Sequence, residues 1–242
     1  MPARHLYFIM TNTWNRLALL IFAVLSLLVA GELQAGVVVG GTRFIFPADR
    51  ESISILLTNT SQESWLINSK INRPTRWEAS TVPAPLLAAP PLILLKPGTT
   101  GTLRLLRTES DILPVDRETL FELSIASVPS GKVENQSVKV AMRSVFKLFW
   151  RPEGLPGDPL EAYQQLRWTR NSQGVQLTNP TPYYINLIQV SVNGKALSNV
   201  GVVPPKSQRQ TSWCQAIAPC HVAWRAINDY GGLSAKKEQN LP

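Results

Sequence analysis

The alternation of apolar and polar residues is clearest over residues 137–152, in the segment SVKVAMRSVFKLFWRP. Val138, Val140 and Met142 are separated by single residues, a period of two that places their side chains on one face of a β-strand. The segment then becomes densely apolar, with Lys147 as the one cation in that part. Its final proline has no N–H for a sheet hydrogen bond. The pattern therefore predicts one long strand that ends at this proline.

Two interpretations of the three alternating residues remain open at this point. As a central strand of a sandwich, the segment would direct all its apolar side chains into its own core. As an edge strand, its first half would offer Val138, Val140 and Met142 to a partner chain. Exposed apolar edges invite aggregation and are usually blunted. The pattern alone therefore favours the first interpretation.

Shorter strands of the same kind precede this segment. The predicted strands lie at residues 37–46, 52–58, 65–71, 92–95, 103–106 and 118–128. Turn signals separate them roughly every 8–12 residues, and no segment has a helical period. A glycine pair inside the first strand suggests a bulge or a close approach of another backbone. With the long strand, about seven strands predict an all-β fold built as a β-sandwich.

The composition changes after this sandwich. Residues 151–159, RPEGLPGDP, are rich in proline and glycine and are predicted to form a linker. Short strand candidates follow at residues 166–169, 175–178, 184–192 and 220–228. The sequence therefore predicts two domains, residues 36–151 and residues 152–242, the second being a smaller β-sandwich.

The first 35 residues are interpreted as a cleaved signal peptide. Residues 17–30 form an uncharged apolar run, with two arginines before it and small residues after it. The run is shorter than a typical transmembrane helix. Cleavage is expected after Ala35, with Ala30 as the alternative, and Met10 is an alternative start. An uncleaved membrane anchor is the other interpretation; cleavage would leave a mature chain with no membrane-inserted segment.

Charge and cysteines narrow the classes of function. The formal net charge is +8, but the basic residues are scattered, and an exported protein rarely meets nucleic acid. We interpret the charge as a solvated surface that leaves room for one basic site. Export favours a disulfide between Cys214 and Cys220. Free thiols, or a metal site that includes the adjacent His221, are the alternatives, and the sequence has no second ligand pair for a metal.

Candidate catalytic chemistry is scarce in this sequence. Besides His221, the chain has one other histidine, His5, which lies in the segment expected to be removed. The sequence contains no P-loop, dinucleotide fingerprint, HExxH or GxSxG motif. We therefore predict a binding protein that needs no cofactor, rather than an enzyme.

Six short motifs occur in a fixed order along the chain. They are GTR at 41–43, LILLKPG at 92–98, LPVDRETLF at 113–121, VFKLFWRP at 145–152, NPTPYY at 179–184 and INDYGG at 227–232. Each motif alone is weak, but in this order they resemble the periplasmic chaperones of the chaperone–usher pathway of pilus assembly, the PapD-like family. The resemblance runs from about residue 37 to the C-terminus.

The resemblance implies two immunoglobulin-like β-sandwich domains arranged as a boomerang with a cleft between them. It implies a chaperone in the periplasm that stabilises pilus subunits by donor-strand complementation and delivers them to an outer-membrane usher. Val138, Val140 and Met142 match the residues of the donor strand, which reverses the interpretation from pattern alone. The alternative function is an exported immunoglobulin-like structural or adhesive protein that binds a surface ligand.

Two sets of charged residues also follow from the resemblance. Arg43 and Lys147 match the positions that bind the C-terminal carboxylate of the subunit, a task that suits a guanidinium fork and a mobile ammonium. A second set links the two domains through a buried charge network and comprises Glu118, Arg151 and Asp229. The alternative for this second set is three surface charges of little energetic weight. The cysteine pair is not a general feature of the family.

Overall fold

The computed structural model describes residues 36–74, 84–108, 113–131, 140–198, 200–215 and 219–242. The expected signal peptide, residues 1–35, and the predicted donor residue Val138 lie outside these ranges. The described chain is all-β, except for a turn of 3-10 helix over Ala162–Gln165 that the sequence did not predict. No helix within these ranges is long and apolar enough to cross a membrane.

The first domain contains nine strands in the described ranges. They are β1 (Val37–Val39), β2 (Arg43–Pro47), β3 (Ser52–Asn59), β4 (Trp65–Asn72), β5 (Leu86–Ala89), β6 (Leu92–Leu95), β7 (Thr100–Arg107), β8 (Thr119–Pro129) and β9 (Met142–Arg151). One sheet has the order β1-β3-β7-β5 and the other has the order β2-β9-β8-β4-β6. Neighbouring strands are antiparallel except β2 and β9, which are parallel.

Alternation along each strand explains the core between these two sheets. In β8, Phe121, Leu123 and Ile125 are buried, while Glu122 and Ser124 lie on the opposite face and are partly exposed. The same period recurs in the neighbouring strands, whose buried residues include Phe46, Leu57, Ile67, Leu103, Leu105 and Leu148. Each such side chain contributes about 1.5–3 kcal/mol when it leaves water. Burial of this one face therefore fixes which side of each strand faces outward.

The glycine pair divides the predicted strand 37–46 into two strands that belong to different sheets. The Gly40 N–H donates to the Leu56 carbonyl in β3, whereas β2 begins at Arg43 and pairs with β9. Gly41 has a φ of +155°, which a side chain disfavours, and a Cβ there would lie 3.0 Å from the Phe44 ring. The glycines therefore allow the chain to change sheets.

The second domain contains the remaining described strands. They are β10 (Arg167–Asn171), β11 (Gly174–Asn179), β12 (Ile185–Val192), β13 (Lys195–Ala196), β14 (Gly201–Val203), β15 (Ser207–Thr211), β16 (Cys220–Ile227) and β17 (Lys237–Leu241). One sheet has the order β10-β11-β15, and the other has the order β13-β12-β16-β17, with β14 also paired to β12. A separate core, which includes Trp168, Leu177, Val222 and Trp224, lies between them.

The predicted disulfide is confirmed. Cys214 and Cys220 are bonded, with their Cα atoms 5.8 Å apart, and both side chains are buried in the second core. The bond links the residues that follow β15 to the first residue of β16. Trp213, next to Cys214, packs on the same core, with its ring centroid 6.0 Å from that of Trp168.

Candidate functional site

Strand β9 is paired from its first residue to Trp150 on one edge but only along its second half on the other. Strand β8 pairs with β9 from Ser127 opposite Met142 to Thr119 opposite Trp150. On the other edge, β2 pairs with β9 only from Lys147 onward. Among the described strands, none pairs with that edge over residues 142–146. This part of β9 therefore presents backbone groups that can accept a further strand.

The exposure of apolar side chains changes at the same point. Val140, Met142 and Val145 are 64%, 63% and 56% exposed, whereas Leu148 and Phe149 are buried. The predicted strand 137–152 is therefore shorter in the structure, beginning at Met142, and its apolar residues do not all enter the domain's own core. Two of the three predicted donor residues are exposed, Val140 just before β9 and Met142 at its first position, and the third, Val138, is outside the described ranges.

Arg43 and Lys147 lie side by side where β2 begins. They are direct neighbours in the parallel β2–β9 pairing, so both side chains are on the outer face of the sheet. The Arg43 guanidinium carbon lies 4.7 Å from the centroid of the Phe149 ring, which faces the same side. Two cations therefore stand together at the inner end of the open edge.

Contacts with the second domain use only part of the Arg43 guanidinium. Its Nη1 donates hydrogen bonds to the carbonyl of Ile227 and, at 2.9 Å, to that of Asn228. Its Nε is buried and finds no acceptor among the described residues. A buried donor without an acceptor costs about 1–3 kcal/mol. This arginine therefore has hydrogen-bonding capacity that the described chain does not use.

Burial affects both cations of this pair. It lowers the pKa of Arg43, although the charges of Asp229 and Glu118 oppose the change. It also lowers the pKa of Lys147, where the positive charge of Arg43 acts in the same direction. Removal from water and mutual repulsion both disfavour the charged forms. An anion that reached this site would relieve the repulsion.

Arg151, further along β9, has a complete set of acidic partners. Its Nε donates to Glu118 Oε1 at 2.7 Å, and its Nη1 donates to Asp229 Oδ2 at 2.8 Å. The second oxygen of Glu118 accepts the backbone N–H of Tyr184 at 2.7 Å. Glu118 and Arg151 belong to the first domain, whereas Asp229 and Tyr184 belong to the second. Arg151 thus contacts both acids of the predicted interdomain network and joins an acid of its own domain to an acid of the other.

The electrostatics of this network reflect its burial. Burial raises the pKa of Glu118, and the charge of Arg151 and the Tyr184 hydrogen bond act against the rise. Burial alone would lower the pKa of Arg151, but its hydrogen bond to Asp229 and the charge of Glu118 raise it overall. Glu118 is 3% exposed, so loss of one of its partners would leave a charge in a poorly solvated place.

The loop after β16 explains how Asp229 reaches Arg151. The Asn228 side-chain oxygen accepts the N–H groups of Tyr230 and Gly232, which closes a tight loop. Gly231 adopts a φ of +82°, and a Cβ there would lie 2.7 Å from the Thr42 hydroxyl of the first domain. A side chain at Gly231 would therefore disturb the contact between the domains.

Sequence reasoning missed two parts of this site. The Tyr184 backbone N–H is a partner of Glu118, and the Tyr184 ring lies 5.6 Å from that of Phe149. The carbonyls of Ile227 and Asn228 hold Arg43. Backbone partners carry no residue-type signal, so no pattern in the sequence could have identified them.

Comparison with known families agrees with this architecture. Residues 36–156 match the N-terminal domain of PapD, described as a pili and flagellar-assembly chaperone. Residues 161–238 match the C-terminal domain of the pili assembly chaperone PapD. The chain therefore belongs to the PapD family of pilus-assembly chaperones.

Individual relatives give the same assignment. The chain is 99% identical over 236 residues to a protein of Escherichia coli (strain K12) named "uncharacterized fimbrial chaperone YcbF", covering 96% of this chain and 100% of that protein. It is 32% identical over 225 residues to the chaperone protein FimC of the same strain, covering 89% of each.

Solved structures of chaperones also match. The Salmonella enterica SafA pilin–SafB chaperone complex aligns with a TM-score of 0.74 at 30% identity, covering 87% of this chain and 98% of that chain. The YadV chaperone aligns with a TM-score of 0.72 at 30% identity, covering 86% of this chain and 100% of that chain.

Proposed function

We propose that this chain is a periplasmic chaperone that lends the first half of β9 to an incomplete pilus subunit and delivers the subunit to an outer-membrane usher. The observation that carries the proposal is the open, apolar edge of β9 over residues 142–146, which ends at two adjacent cations. The domain limits that go with it are residues 36–151 and 152–242, after a signal peptide over residues 1–35.

The position of the cations sets the direction of the bound strand. A subunit strand whose C-terminal carboxylate reaches Arg43 and Lys147 would end where β2 begins. It would then lie along the open edge of β9 and run in the same direction as β2, parallel to β9. Its backbone would supply the sheet partner that residues 142–146 lack. Val140 and Met142 would enter the groove left by the subunit's missing strand.

The chemistry of the pair suits a carboxylate. Arg43 donates hydrogen bonds from Nη1 to two carbonyls of the second domain, and its Nε donor has no acceptor among the described residues. A guanidinium can offer two donors to one carboxylate, and Lys147 adds a mobile positive charge. Hydrogen bonds to charged groups contribute about 1.5–3 kcal/mol each. Because an alternating strand can slip by two residues without changing faces, this anchor would fix its register.

The known partner of one relative and the location of another support the proposal. SafB forms a complex with the SafA pilin, and SfaE, at 29% identity and a TM-score of 0.70, is described as a periplasmic chaperone. A shared fold at this identity makes the same partner class and the same compartment the natural expectation here. The delivery step to an usher follows from the same family assignment.

The test is capture of a subunit from the periplasm. The full chain with a C-terminal affinity tag is expressed together with a pilus operon, and the proteins that co-purify are identified by mass spectrometry. Wild type is expected to retain a pilin. Val140→Glu should fold but lose the pilin, because a carboxylate would enter an apolar groove. Val115→Glu is the matched control, since Val115 is 80% exposed in a loop away from β9.

The readouts separate donation from folding. Melting curves and circular dichroism of Val140→Glu should match those of the Val115→Glu control. If Val140→Glu unfolds, Val140 belongs to the chaperone's own core and the donor role is wrong. If Val140→Glu retains the pilin, the open edge of β9 is not the binding strand. Wild type that captures no pilin would favour the alternative of an adhesive or structural protein.

A further inference from the structure

The Arg43–Lys147 pair is part of a polar row that crosses four strands. Lys147 is opposite Glu122 in the β8–β9 pairing, and Glu122 is opposite Asn72 in the β4–β8 pairing. The row therefore reads Asn72, Glu122, Lys147, Arg43 from β4 to β2. All four side chains are on the outer face, because the residues on either side of Glu122 are buried in the core.

Glu122 brings a negative charge next to the two cations. Directly opposite residues of an antiparallel pair have Cβ atoms about 4.5–5.5 Å apart, so Glu122 lies closer to Lys147 than to Arg43. Among the ion pairs of the described residues, none within 4.0 Å joins Glu122 to Lys147. Its charge nevertheless acts on Lys147, where it opposes the lowering of the pKa caused by burial and by Arg43.

Glu122 differs in this respect from the other acids close to the site. Glu118 and Asp229 are bound to Arg151 and take part in joining the domains. Glu122 is partly exposed, makes no such bond among the described residues, and lies opposite Lys147, beside the pair that an incoming carboxylate would reach. Two negative charges would then share the neighbourhood of Lys147, and they would repel each other.

We propose that Glu122 weakens the grip of Arg43 and Lys147 on the subunit's carboxylate, and so speeds release of the subunit. The inference rests on the proposed function, since it needs a carboxylate at this pair. Arg43, Lys147 and Glu122 together carry a net charge of +1, whereas Arg43 and Lys147 alone carry +2. The outer-face location keeps the effect modest, about threefold in affinity at low salt and less at physiological salt.

The experiment measures binding of two synthetic peptides to the full mature chain. Both have alternating valine and threonine; one ends in a free carboxylate and the other in an amide. Glu122→Gln should bind the free-acid peptide about threefold more tightly than wild type, with slower dissociation, and should leave binding of the amide unchanged. Glu63→Gln is the matched control, because it makes the same change in net charge on an exposed loop of the same domain.

Each outcome bears on a different claim. Unchanged or weaker binding of the free acid by Glu122→Gln overturns the proposal. Equal tightening for acid and amide also overturns it, because the effect would then come from the strand and not from the carboxylate. If wild type binds acid and amide equally, the carboxylate anchor itself fails and Glu122 loses its role. In a Lys147→Gln background, the tightening should shrink, because the nearest cation is gone.

Discussion

Lys147 and Arg151 lie on the same face of β9, yet their surroundings are opposite. Arg151 binds two carboxylates, Glu118 and Asp229, at 2.7 and 2.8 Å. Lys147 lies between a cation, Arg43, and one acid, Glu122, with which it forms no ion pair among the described residues. Of these two cations, Arg151 therefore has its charge matched inside the molecule, whereas the charge of Lys147 together with that of Arg43 is only partly matched.

The different surroundings of Lys147 and Arg151 indicate two different roles for partly buried charges. A matched network such as that of Arg151 holds parts of the chain together, and its loss leaves an uncompensated charge. An unmatched pair such as Arg43 and Lys147 contributes repulsion to the free protein. In the proposed function, a bound partner would supply the anion that this pair lacks at the end of the open strand edge. Variants at the two places should therefore fail in different assays.

The largest expected effect is on stability, at the matched network. Glu118→Ala removes the buried acceptor of both Arg151 and the Tyr184 N–H and should lower the free energy of unfolding by roughly 3–5 kcal/mol. Chemical denaturation of the mature chain measures this value. Glu118→Gln keeps an acceptor and should lose less. A Glu118→Ala melting curve that overlays wild type would contradict a structural role for the network.

The next effect is on binding, at the unmatched pair. Lys147→Gln should bind the free-acid peptide at least about tenfold more weakly, the loss of one charged hydrogen bond, and its melting temperature should stay near wild type. Arg43→Ala should lose binding and also some stability, because Arg43 donates to Ile227 and Asn228 in the second domain. A Lys147→Gln variant that unfolds more easily but binds normally would reverse the two roles.

A pH titration gives a smaller effect on the same pair. Burial and the charge of Arg43 lower the pKa of Lys147 from the ordinary value of 10.5. A lowered pKa means that the ammonium loses its proton at a lower pH than a free lysine does. The preference for the free-acid peptide should therefore fall as pH rises, starting below 10.5. Lys147→Arg should keep the preference to higher pH, since guanidinium stays charged. Identical profiles would show that Lys147 is not the titrating group.

The smallest effect is expected at an exposed contact between the domains. Asp116 accepts a bond from Lys206 Nζ at 2.6 Å and is also paired with Arg117, and these hydrogen bonds lower the pKa of its carboxyl well below the usual range. Solvent and salt screen such exposed charges. Lys206→Gln should therefore leave the melting temperature almost unchanged, even at low salt. A shift as large as that of Glu118→Ala would mean that the exposed contact also determines stability.

The parts of the fold that alternate strongly could be predicted from the sequence. The dense apolar residues before Arg151 identified β9, and regular alternation identified β3, β4 and β8. Strands β15 and β17, with the sequences SQRQT and KEQNL, were missed because polar residues fill most of their positions. Their pairing comes from the neighbouring strands β11 and β16, which a single-sequence pattern does not contain.

The candidate site was predictable to a different degree. The resemblance named Arg43, Lys147, Glu118, Arg151 and Asp229, and the structure brings them into two groups. The position of Glu122 beside Lys147 could not be inferred, because strand register depends on the connection between the two strands and on core packing. The division of residues 37–46 between two sheets was also hidden, since both halves read as strand.

The division of residues 37–46 into two strands also limits how far another strand can pair along β9. Strand β2 occupies one edge of β9 and begins at Arg43, so the first residue of β2 marks the point beyond which no visiting strand can extend. The glycine pair Gly40–Gly41, where the chain changes sheets, determines where that first residue lies. An insertion between Gly41 and Arg43 that let β2 begin two residues earlier, opposite Val145, would shorten the vacant edge of β9 from residues 142–146 to residues 142–144. The start of β2 therefore limits the length of the β9 edge that is free to pair with another protein. A change in β2 alone could alter that length without altering β9 itself.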